Sequence, residues 1–203
     1  MLFRYIFIIL VLLPIKVFAL IEVDITRGNL NPLPVAISPL SIDENSKEGF
    51  KKILKVSNLG IEISTVVENN LRQTGLFNPL NKDAFLQKPE IANLKPRFED
   101  WNLIKAQALI TGKVTLVDDK LRVEFRLWDI LAGKEMMALA FTTVPNNWRR
   151  VGHIITDKVY QRLTGEKGYF DTRIIYVAEE GPKTKRIKKL AIMDQDGFNN
   201  KFL

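Results

Sequence analysis

A single histidine, His153, and no cysteine make up the inventory of nucleophiles and soft metal ligands in this 203-residue chain. Acid–base or nucleophilic chemistry needs such a group held against a partner, and no partner motif accompanies His153. It falls in a stretch with helical spacing and is read as a partly buried or surface helical residue. The patterns HExxH, GxSxG and a phosphate-cradling glycine loop do not occur in the sequence. The carboxylate pairs Asp118-Asp119 and Glu179-Glu180 fall where turns are expected, and acidic residues are ordinary there. Asp194-Gln195-Asp196-Gly197 resembles the opening of a calcium loop, but the downstream glutamate of an EF-hand does not follow before Leu203, which favours a hairpin turn. Trp101 precedes an expected strand, Trp128 lies on the expected meander and Trp148 opens an expected helix, places where aromatic residues serve as core or cap. No residue is assigned to catalysis, to a cofactor or to a metal.

The elements that would position any such group begin behind an export signal. Arg4 precedes an apolar run from Tyr5 to Leu13, and Val17-Phe18-Ala19 offers a small residue for cleavage. Pro14 and Lys16 interrupt the run well short of the ~20 residues that a spanning helix needs. Residues 1–19 are therefore read as a signal peptide cut near Ala19, the mature chain as starting at Leu20, and its compartment as the periplasm. Removing Arg4 and Lys16 lowers the formal charge from +7 to +5. The positive residues are dispersed, and the one dense run, Lys183-Thr-Lys-Arg-Ile-Lys-Lys189, lies between apolar runs as a solvated hairpin would. Nucleic acid is not an expected partner. Hydrophobic residues make up 46% of the chain, enough for one domain and part of a second.

Ile21-Glu22-Val23-Asp24-Ile25-Thr26 alternates apolar and polar side chains with the period of a half-buried strand. Leu33 to Ile37 is a second short apolar run. Ser41 to Lys52 reads as a loop or a short helix. From Ile61 to Thr74, Ile63, Val66, Val67 and Leu71 share one helical face, and Gly75 suits the left-handed position that ends a helix. Leu76 to Leu80 is extended, and Lys88 to Lys95 reads as a connecting loop. Leu109 to Val117, Leu121 to Ile130 and Glu135 to Thr143 form a three-stranded antiparallel meander that reverses at Asp118-Asp119 and Ala132-Gly133. Trp148, Val151, Ile155 and Val159 then recur at helical spacing up to Thr164-Gly165.

A boundary is placed in the short polar segment Gly165-Glu-Lys-Gly168, dividing residues 20–165 from residues 166–203. Beyond it only two strands are expected, Arg173 to Ala178 and Leu190 to Met193, and two strands bury too little surface to be stable alone. The chain is expected to stop inside its second domain or to lend this hairpin elsewhere. The fold class is α/β (α+β): a mixed sheet with an antiparallel meander and two main helices, then the first strands of a second unit.

Three blocks carry a family resemblance: Ile21-Glu-Val-Asp-Ile-Thr26 followed by Pro34-Val-Ala-Ile; Leu71-Arg-Gln-Thr-Gly-Leu-Phe-Asn-Pro-Leu80; and Phe170-Asp-Thr-Arg-Ile-Ile-Tyr-Val-Ala with Leu190-Ala-Ile-Met-Asp-Gln-Asp-Gly197. Together with Ala108-Leu-Ile-Thr-Gly-Lys-Val and Leu127-Trp-Asp they resemble the TolB family across the whole mature chain. The resemblance implies an α/β amino-terminal domain and the opening blade of a six-bladed β-propeller, here truncated. It implies a non-catalytic periplasmic component of the Tol-Pal system, without cofactor, that links inner-membrane TolA to outer-membrane Pal and supports envelope integrity and invagination during division. Pal contact belongs to propeller surface that is mostly absent here. TolA contact carries over to the mature amino terminus, Leu20, Ile21, Glu22, Val23, Asp24, Ile25 and Thr26. An alternating strand at a chain end can leave its groove and add to a partner's sheet edge, or stay paired as an edge strand; the residues are compatible with both. Two other readings stand beside this one: the amino-terminal part of an exported propeller hydrolase, and a truncated product without function.

Overall fold

The alternation in the meander is the pattern that organises the molecule. Leu121, Val123, Phe125 and Leu127 are all buried, while Arg122, Glu124 and Arg126 between them are half-exposed. The computed structural model describes residues 31–203; the signal peptide and the expected strand Ile21–Thr26 lie outside the described residues. Strands β1 (Leu33–Ile37), β2 (Ser41–Ile42), β3 (Phe77–Pro79), β4 (Ala108–Val117), β5 (Lys120–Asp129) and β6 (Lys134–Thr143) form one mixed sheet. The order across it is β3-β1-β4-β5-β6, with β2 paired to β4 beside β1. β1 runs parallel to β3 and to β4, whereas β4, β5 and β6 are antiparallel, as the meander predicts. Asp118 and Asp119 both take positive φ, 48° and 57°, the conformation that a two-residue hairpin needs to match strand twist.

Parallel strands require crossovers, and these carry helices α1 (Glu44–Leu54), α2 (Leu59–Gln73), α3 (Pro89–Leu94) and α4 (Phe98–Leu103), while α5 (Trp148–Thr164) follows the meander. β1 explains why both faces of the sheet are covered. Val35 and Ile37 point to a core shared with Ile63, Val67 and Leu71 of α2 and with Val151, Ile155 and Val159 of α5. Ala36 points to a smaller core with Trp101, Ala92 and Leu109 under α3 and α4. Each fully buried aliphatic side chain contributes about 1.5–3 kcal/mol, so the α2–α5 layer is what holds the sheet's main face.

Several local expectations change. Of the two readings of Ser41 to Lys52, the helix holds from Glu44 on, because Asp43 caps it by accepting the Ser46 amide at 2.9 Å and Phe50 anchors it in the core, while Ser41–Ile42 form β2. Lys88 to Lys95 is not a connecting loop: Pro89 stands at the first helical position, where its missing N–H costs nothing, and Ala92 packs inward. Trp101 precedes β4, as expected, but from within α4, fully buried and donating from Nε1 to Gln87 Oε1 at 2.7 Å.

After Gly165, which takes φ +79° at the end of α5, the chain forms a second sheet from β7 (Arg173–Glu180), β8 (Ile187–Asp194) and β9 (Lys201–Phe202). The two-stranded expectation is corrected to three, since β9 pairs with β8 at Ala191 and Ile192 and is too short for any periodicity to reveal it. The pair Glu179-Glu180 ends β7 rather than forming a turn, and it meets the basic run: Lys188 reaches Glu179 at 3.1 Å and Lys189 reaches Glu180 at 2.9 Å. Among the described residues no helix is long and apolar enough to cross a membrane.

Candidate functional site

Helix α5 begins against the usual electrostatic preference. Its N-cap, Asn147, makes no side-chain cap, its first turn holds no acid, and Arg149 and Arg150 stand where the helix already presents positive charge. Carboxylates from elsewhere in the chain supply the compensation. Arg150 makes a bidentate pair with Asp171, Nε to Oδ1 at 2.9 Å and Nη2 to Oδ2 at 3.0 Å, and that carboxylate raises the guanidinium's pKa further. Arg149 donates to Asp196 Oδ2, and its guanidinium carbon stands over the Phe198 ring, 3.5 Å from its centre. Arg173, on β7, faces Asp194 at 3.8 Å. Three arginines and three aspartates thus line the junction between α5 and the second sheet.

The linker is fixed from the same helix. Asp157 accepts the backbone amides of Phe170 at 2.7 Å and Asp171 at 3.1 Å, which sets where β7 can start. Tyr160 packs edge-on to both Phe77 of β3 and Phe170 of the linker, tying the second sheet's approach to the first sheet's core.

Beneath the ion pairs lies His153, 2% exposed. Its Nδ1 is 2.9 Å from Asn70 Nδ2, on α2. Asn70 also donates to Thr156 Oγ1 at 3.1 Å and accepts from Gln195 Nε2, of the β8–β9 turn, at 2.9 Å. Thr156 in turn donates to the Gly152 carbonyl at 2.8 Å, so Asn70 must be the donor in that contact. The Asn70 amide nitrogen therefore faces the ring, Nδ1 accepts, and the ring proton resides on Nε2. Nε2 has no hydrogen-bond partner and stands 3.7 Å from Asp196 Oδ2. Burial lowers the ring's pKa below its ordinary value, and the Arg149 charge adds to this against the opposing pull of Asp196, Asp194 and Asp171.

This arrangement is built for holding two elements together. The donor atoms of His153, Asp194 and Asp196 lie within 4.8 Å of one another, but the Arg149 guanidinium already pairs with Asp196, and Asn199 Nδ2 donates to Asp194. The cation of the cluster is a side chain of the chain itself. The Asp-Gln-Asp-Gly segment is the expected hairpin turn: the Gly197 amide donates to the Asp194 carbonyl at 2.9 Å, with Gly197 at φ +85°. A cleft of about 230 Å³ beside it is lined by Asn146, Asn147, Arg173, Asn199 and Lys201 among others.

Of the residues singled out from the sequence, Leu20 to Thr26 fall outside the described region, and His153 is deeper than a partly buried helical residue. Arg149, Asn70, Gln195 and Asp196 were not singled out for this junction. Only one signal for it was present, the two arginines in the first turn of a helix without an acid.

Known proteins resemble the chain throughout. Residues 21–136 match the family model described as the TolB amino-terminal domain. The chain is 85% identical over its full length to the Tol-Pal system protein TolB of Pelagibacter ubique (strain HTCC1062), of which it spans 46%. The crystal structure of TolB from Acinetobacter baumannii shares its fold, with a TM-score of 0.67 over 84% of this chain and 38% of that one, at 22% identity. The chain belongs to the family defined by the TolB amino-terminal domain.

Proposed function

We propose that this chain acts in the Tol-Pal system as a non-catalytic, periplasmic protein-binding component. The observation that carries the reading is the 85% identity, over all 203 residues, to a relative named for that system. Its mature amino terminus, Leu20 to Thr26, is the segment that engages TolA, and residues 166–203 open a β-propeller whose further blades would face Pal. In this role the chain links the inner membrane to the outer membrane and supports invagination during division.

Two features support this division of labour. The family match begins at residue 21, directly after the expected cleavage near Ala19. The second sheet is apolar on both faces: Ile175, Val177 and Leu190 are exposed on one, Ile174 and Phe202 on the other. Strands that are apolar on both sides belong to sheets covered on both sides, as a propeller blade is by its neighbours. On this reading the boundary lies at residues 165–168, between the amino-terminal α/β domain and the blade.

Binding of the mature chain to the periplasmic carboxy-terminal domain of TolA, measured by calorimetry with and without residues 20–31, tests the proposal. Binding that disappears on truncation is expected. A full mature chain that does not bind, or a truncated one that binds equally well, would exclude the amino-terminal strand as the TolA contact.

A further inference from the structure

The side chains that join the second sheet to α2 and α5 are balanced for one protonation state of His153. Acting on the ring are Asp194 and Asp196 from β8 and the turn after it, Asp171 from the linker and Arg149 from its own helix, while Arg150 and the β7 residue Arg173 line the same cleft further out. The α2 side facing the ring presents the uncharged Asn70. Each aspartate already has its arginine: Asp196 with Arg149, Asp171 with Arg150, Asp194 with Arg173. These aspartates are already engaged, and the ring between them is 2% exposed, so a second ring proton would put a positive charge where burial opposes it.

Hydrogen bonding points the same way. A proton added at Nδ1 would meet the Asn70 amide nitrogen, which is itself a donor. Turning the Asn70 amide over relieves this but withdraws its donation to Thr156 Oγ1, and it presents NH2 to Gln195 Nε2 so that the contact between the turn and α2 must break or be rebuilt. Arg149 gains nothing in exchange, since the imidazolium competes with it for the same Asp196 oxygen.

We infer that His153, Asn70 and Arg149 form a proton-controlled latch: a neutral ring holds the β8–β9 turn against the α2–α5 pair, and a doubly protonated ring releases it. The latch lies between the β8–β9 turn and the α2–α5 pair, so local acidification would loosen that turn while Asp157 and Arg150 still hold the linker.

The chain has no cysteine, so spin labels can be placed at Glu62→Cys on α2 and Lys183→Cys at the tip of the β7–β8 hairpin, both exposed. A pulsed electron–electron distance measurement is then made at about pH 7.5 and about pH 5, on either side of the ordinary histidine range. The expected result is one narrow distance at the higher pH and a shift toward a longer, broader population at the lower. His153→Gln, neutral at both values, is expected to remove the change. A distribution that does not move with pH overturns the latch, and so does a His153→Gln variant that moves equally, since the aspartates would then be responsible. Should that variant fail to fold, the ring of the unsubstituted chain is titrated by NMR, and a pKa at or above the ordinary histidine value overturns the proposal by itself.

Discussion

Gly152 of α5 lies so close to Val66 of α2 that a Cβ built on it would stand 2.8 Å from Val66 Cγ1 and 2.9 Å from Val66 Cβ. Real Cβ atoms do not approach branched side chains that closely, so the two helices pack at a distance only glycine permits. That separation brings Asn70 within reach of His153 and Thr156.

Gly152→Ala is therefore expected to destabilise the chain by about 1–3 kcal/mol in urea unfolding, although alanine is the better helix former by roughly 1 kcal/mol. Adding Val66→Ala is expected to recover part of the loss. A single substitution that stabilises would show that the helices can separate freely.

The two ion pairs at the start of α5 should differ in worth. Arg149 and Asp196 are 14% and 8% exposed in their side chains, so Asp196→Ala leaves a desolvated guanidinium and is expected to cost about 3–5 kcal/mol. Arg150 and Asp171 are 60% and 26% exposed, and despite its bidentate geometry that pair is expected to cost under about 1 kcal/mol when Asp171→Ala removes it. Chemical denaturation of both variants checks the ranking, and equal losses would refute it.

Stability should fall on mild acidification. His153 has its pKa lowered in the folded state, first by burial, from an ordinary 6.5. The unfolded chain takes the proton first, so this contribution is fully present above about pH 6.5 and shrinks as the pH falls from there toward the folded-state value. His153→Gln should flatten that part of the pH–stability curve. Unfolding midpoints measured from about pH 7.5 down to about pH 5 test it, because a variant with an unchanged slope would assign the effect to other groups.

Gln87→Ala removes the acceptor for two donors at once, Trp101 Nε1 at 2.7 Å and the Arg97 amide at 3.0 Å. Trp101 is 1% exposed, so water does not replace the lost partner. The expected cost is about 1–3 kcal/mol, read as a lower unfolding midpoint together with a shifted tryptophan emission. No change in either would mean that the indole finds another acceptor.

Local pattern made much of this fold legible. The alternation from Leu121 to Leu127 placed β5 and its buried face, Asp118-Asp119 placed the reversal, and the spacing of Val151, Ile155 and Val159 placed α5. Those signals are repeated along a single element, and each repeat is a side chain that must be buried on one side. Three features escaped because their signals are too short or come from distant residues. Residues 89–94 carry fewer than two turns, and β2 and β9 are two residues long each.

Periodicities and extended residue identity were enough for the α/β class, the meander, the main helices and the family. The surroundings of His153 arise only from packing. Its neighbours come from α2, from the linker and from the β8–β9 turn, and Gln195 lies 125 positions from the Asn70 it donates to. Nothing in the local chain encodes which donor meets which acceptor across that span. The balance of three arginines, three aspartates and one neutral ring exists only once α2, α5 and the second sheet are packed, because burial is what makes an unpaired charge costly.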